Sequence, residues 1–72
     1  MNYQKGQSLI FVSYSGAVIV EVDTHQGHWL TYKINGSEYD LCLCSTCTAI
    51  MFITFVPNNK FFRQLYGLED EI

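Results

Sequence analysis

Apolar and polar positions alternate through the first two thirds of the chain, and the alternation has the period of β-strands. Residues 8–14 and 17–23 are apolar and rich in β-branched side chains, with Ser15-Gly16 between them as a turn signal. A two-residue turn there sets Tyr14 opposite Ala17, Val12 opposite Ile19 and Ile10 opposite Glu21. Leu9, Phe11, Val18, Val20 and Val22 then share one face, the expected core, while Glu21 and Asp23 fall on the other. Residues 24–27 read as a second turn. Residues 28–34 and 37–43 read as two further strands around Asn35-Gly36, the strongest hairpin signal in the chain, because both residues tolerate the positive φ of a type I′ turn. That register pairs Lys33 with Glu38, opposite charges that support it. It groups Leu30, Tyr32 and Ile34 with Tyr39, Leu41 and Leu43, and Trp29, Thr31 and Lys33 with Glu38, Asp40 and Cys42.

Beyond Ser45-Thr46, read as a turn, the alternation stops. Residues 48–56 are apolar on both faces, the pattern of a central buried strand, and Pro57 ends it. Asn58 is the expected N-cap of a helix over residues 59–66, with Gly67 closing it and Phe61, Phe62 and Leu65 as its apolar stripe. Residues 1–7 read as a loose lead-in and residues 68–72 as an acidic tail. The sum is a mostly β, α+β fold. It has five short antiparallel strands, as a twisted sheet or a small partly open barrel, and one C-terminal helix. Residues 1–72 read as one domain.

Charge narrows the range of partners. The net charge is −3, and Lys5, Lys33, Lys60 and Arg63 form no basic run. This argues against nucleic acid and against an anionic membrane surface, since both need clustered cations. It leaves room for a basic protein. The longest apolar run is too short to span a bilayer. Cys42, Cys44 and Cys47 are an odd, clustered set, unlike the even, dispersed cysteines of small secreted domains. They read as reduced thiols in a cytoplasmic protein.

The clearest chemical signal is spacing. His25-Gln-Gly-His28 and Cys44-Ser-Thr-Cys47 are two ligand pairs with fifteen residues between them, the spacing of a zinc ribbon with two histidines replacing two cysteines. Zinc would then staple a domain with a modest core. Two points oppose this. Trp29 and Thr48 follow the pairs where ribbons carry small residues, and the hairpin register puts His28 on the face with Leu43. Buried cysteine also serves as a small hydrophobe. Ligation by Cys42, Cys44 and Cys47 without histidine ranks below the mixed set. Cysteine catalysis ranks lower again, because no helix start is expected beside a cysteine.

Two surfaces remain. Glu21, Asp23, Glu38 and Asp40 can line one face of the sheet, with Trp29 beside them as an interface anchor. The tyrosines and Trp29 can also stack bases in small barrels, although the acidic balance weakens that. The favoured expectation is a non-enzymatic protein-binding protein. It would be an inhibitor or adaptor of a larger, possibly nucleic-acid-handling protein with a basic surface, of the kind carried by phage or other mobile elements. Glu21, Asp23, Trp29, Glu38 and Asp40 are its candidate contacts, with no cofactor and a homo-oligomer allowed. The alternatives are a zinc-ribbon-like module on His25, His28, Cys44 and Cys47, and a small-barrel binder of single-stranded nucleic acid.

Overall fold

The computed structural model describes residues 3–68. The tail expected at residues 68–72 falls almost wholly outside them, as do Met1 and Asn2 of the lead-in. Five strands form one open antiparallel sheet: β1 (Ser8–Ser13), β2 (Gly16–Gln26), β3 (Trp29–Ile34), β4 (Ser37–Cys42) and β5 (Thr54–Pro57). Helix α1 (Ser45–Met51) lies between β4 and β5, and α2 (Lys60–Leu65) follows β5. The strand order is β4-β3-β2-β1-β5, so four strands meander and β5 returns to pair with β1.

Hydrophobic alternation places the core as expected. Leu9, Val20, Val22, Leu30 and Tyr32 are buried on one face, with Phe11, Val18, Ile34, Leu41 and Leu43 packed around them. Phe11 reaches across the small valines of β2 to Tyr32, with ring centroids 5.6 Å apart. The Asn35-Gly36 turn forms as expected, with φ of 52° and 85°, and Lys33 pairs with Glu38. The first hairpin turns one residue earlier than expected, through Tyr14-Ser15, which shifts the pairing by two, so Val12 rather than Tyr14 opposes Ala17. A shift of two leaves every side chain on its original face, and the core survives it.

Three expectations are corrected. First, β2 does not stop at residue 23. It runs to Gln26 by inserting a bulge between Val22 and Thr24, and the turn to β3 is Gly27-His28. The bulge flips the alternation, so His25 shares the core face with its partner Leu30. Second, residues 3–7 are tied down. The Gly6 N–H donates to the Val22 carbonyl, the Val22 N–H donates to the Gln7 carbonyl, and Tyr3 stacks on His25 at 5.4 Å. Third, residues 48–56 are not one strand. The chain is helical through Met51, turns at Phe52, and only residues 54–57 pair with β1. The described residues therefore hold two short helices rather than one.

The sheet is open, with β4 and β5 at its edges. Residues 37–40 of β4 are exposed, and β5 ends at Pro57. Helix α2 is capped by Asn59, one residue later than expected, whose Oδ1 accepts from the Phe62 N–H at 3.0 Å. Asn58 instead ties α2 to the sheet. Its Nδ2 donates to Ser8 Oγ at 2.7 Å, and its Oδ1 accepts from Arg63 Nη1 at 2.8 Å.

Candidate metal centre

Three cysteines meet where β4 hands over to α1. Cys42 is the last residue of β4. Cys44 is the N-cap of α1, with extended backbone (φ −64°, ψ 155°), and Cys47 lies one helical turn on. Residues three apart on a helix lie on one side of it. The chain therefore folds Cys44 and Cys47 back over the strand end that carries Cys42. The three Sγ atoms all lie within 4.8 Å of one another. All three thiols are free and partly buried.

The site has its own hydrogen bonds. The Cys47 N–H donates to Cys44 Sγ at 3.3 Å, taking the place that a side-chain oxygen holds in most N-caps. Thr48 Oγ1 donates back to the carbonyls of Cys44 and Ser45, at 3.1 and 3.3 Å. The thiols divide into unlike partners. Hydrogen bonds from the Cys47 thiol and backbone, then from the Cys42 thiol, hold Cys44 below the ordinary thiol range. The same contacts, Cys44 first and Cys42 second, push Cys47 up to about 12. Cys44 thus becomes a thiolate, the form in which cysteine binds metal, more readily than Cys47 does.

The mixed histidine–cysteine set is only half assembled. Cys44 and Cys47 come together and Cys42 joins them, whereas His25 and His28 are not part of that group. His25 Nδ1 accepts the Tyr3 N–H at 2.9 Å, which fixes the ring against the N-terminal segment. His28 is exposed in its turn, and its carbonyl accepts from the Leu43 N–H, in keeping with the Leu43 side of the hairpin. The three-cysteine set, which spacing alone ranks below the mixed one, is the set that comes together. No helix start is expected from the sequence beside a cysteine, and α1 begins directly after Cys44. The pattern Cys-x-x-Cys at helical i, i+3 spacing was the available signal.

The other candidate residues are spread along one face of β2, β3 and β4. Glu21 pairs with Lys33, which pairs with Glu38, so a cation sits between two of the acids. Asp40 pairs with Thr31 and accepts its hydroxyl at 2.9 Å. Asp23 falls in the bulge and forms an ion pair with Lys5 at 3.7 Å. Trp29 opposes Cys42 in the register and is 59% exposed. Among the described residues, no helix is long and apolar enough to cross a membrane. Comparisons with known protein families, with curated proteins and with solved structures find no match to this chain.

Proposed function

We propose that this chain is a small metal-binding module in which Cys42, Cys44 and Cys47 share one thiophilic ion, zinc being the familiar case. The observation that carries the reading is the convergence of three sulfurs within 4.8 Å. Thiolate–metal bonds are about 2.3 Å long, so sulfurs bound to one ion lie roughly 4 Å apart, and small side-chain movements close the gap. The ion would fasten α1, which buries none of its side chains, to the end of β4. Metal binding would thereby contribute to folding, as it does in other small domains. The role is structural or regulatory rather than catalytic. Metal analysis after reducing, chelator-free purification tests it. One ion per chain, lost on Cys44→Ser, is expected. A metal-free protein under those conditions sinks the reading.

A second reading keeps the expected protein partner, an inhibitor or adaptor role included. Trp29 supports it, since a largely exposed tryptophan among polar neighbours is a typical interface anchor. Affinity capture with wild-type and Trp29→Ala chains tests it. Retention of the same partner by both variants removes Trp29 from the interface.

A further inference from the structure

We infer that the three-cysteine centre is a three-coordinate site for a monovalent soft cation, copper(I), rather than a four-coordinate zinc site. This rests on the thiolate-centre reading above and specifies its ion. The argument is a count of donors. Zinc in a structural site takes four ligands in a tetrahedron. Here three sulfurs converge, and no histidine, aspartate, glutamate or fourth cysteine among the described residues joins them. The other candidate ligands lie outside this group. His25 Nδ1 holds the Tyr3 N–H. Asp40, two residues along the same face of β4 from Cys42, is held by Thr31. His28 is exposed in its turn and lies outside the group of sulfurs.

Zinc on these residues would need water as its fourth ligand, leaving an open centre in place of the closed four-ligand shell of a structural site. Copper(I) is satisfied by soft donors alone, and thiolates select it. Three sulfurs complete its shell. On binding, the thiols release their protons to solvent and three copper–sulfur bonds form. No electron is transferred, because the copper arrives as copper(I). The Cys47 N–H at Cys44 Sγ supplies the outer hydrogen bond that orients a ligand and tempers its charge.

Trp29, the single tryptophan of the chain, reports on the site because it pairs with Cys42. The test titrates reduced, metal-free, full-length protein under anaerobic conditions, with copper(I) in one series and with zinc or cobalt(II) in another. The expected result is a Trp29 fluorescence break at one copper(I) per chain, with all three cysteines then protected from alkylation. Zinc should pass readily to a chelator that leaves copper(I) in place. Cys42→Ser and Cys47→Ser should each weaken copper(I) retention by more than about 100-fold, beyond what loss of an outer hydrogen bond costs. His25→Ala and His28→Ala should leave it unchanged.

Tight zinc binding with a tetrahedral cobalt(II) spectrum, weakened by His28→Ala, overturns the copper(I) assignment and leaves the thiolate centre standing. More than one copper per chain also overturns it. Full alkylation of all three cysteines in the presence of either metal overturns both readings. Circular dichroism of each variant shows whether the sheet is intact, and the two separate serine variants guard against one that fails to fold.

Discussion

Two short helices leave this sheet, and they end alike but are built from opposite residues. In α2, the Gly67 N–H donates to the Gln64 carbonyl and the Leu68 N–H to the Arg63 carbonyl. In α1, the Phe52 N–H donates to the Ala49 carbonyl and the Ile53 N–H to the Thr48 carbonyl, which is the same motif. Gly67 takes the left-handed position of α2 at φ 73°, without steric cost. Phe52 takes that position in α1 at φ 54°, with its ring 74% exposed. At the other end, Asn59 caps α2 with oxygen and Cys44 caps α1 with sulfur. Neither helix is long enough to stand alone. Helix α2 uses good helix-ending chemistry and is tied to Ser8 through Asn58. Helix α1 uses poor helix-ending chemistry and has the sulfur cluster as its tie to β4. Cys44 at its start belongs to the sulfur cluster as much as to the helix.

The largest change tests what the two helices share. Leu30 is completely buried at the centre of the core, and Leu30→Ala should cost about 2–5 kcal/mol. That is a large part of the stability of a domain this size. Both helices should melt with the sheet in one transition, followed by denaturant titration. Separate melting of α2 would show that it is independent of the core.

The caps come next. Asn59→Ala should cost about 1 kcal/mol in chemical denaturation. Cys44→Ser in metal-free protein should be neutral or slightly stabilising, since serine is the better cap, while it abolishes metal retention. An equal cost for both would mean that Cys44 is a cap and little else. The helix ends should then respond with opposite signs. Phe52→Gly relieves a left-handed aromatic residue and should gain about 0.5–1 kcal/mol. Gly67→Ala imposes the same strain and should lose about 1 kcal/mol.

The smallest effect separates the sheet from both helices through pH. Burial, and secondarily the neighbouring Tyr39, raises the Tyr32 hydroxyl above its ordinary 10.0. The folded state therefore keeps this proton more tightly than the unfolded chain. Its contribution is fully present below about pH 10 and is lost as pH rises through the folded value. Tyr32→Phe should flatten the alkaline decline in thermal melts. An unchanged decline would assign it to other groups.

These pairs also show what could be read from residues alone. Alternation, Asn35-Gly36, Pro57 and Gly67 specify the meander and α2, because each signal is local and acts through backbone geometry. The segment around α1 carries none of these signals. Thr48, Ile50, Ile53 and Val56 are β-branched, and no glycine or proline marks the turn at Phe52. Periodicity does not separate a buried strand from a short helix there. The site was legible in part for the same reason. Cys44-x-x-Cys47 was visible, but Cys42 joins it only because the chain stops being a strand. The bulge at Asp23 was equally silent, and it alone turned His25 away from its expected turn and onto the core face.

The free edge of β4 has a consequence for how copies of the chain meet. An exposed edge is a template for adding strands from other molecules. Two β4 edges in antiparallel register about Tyr39 would set Glu38 of each copy against Asp40 of the other, and like charges directly opposed disfavour the pairing. At the far edge, Pro57 brings no N–H to such a ladder. In the β4 register Glu38 and Asp40 oppose edge-to-edge assembly. Replacing Glu38 and Asp40 together by neutral residues removes that repulsion and should let copies of the chain cluster edge to edge.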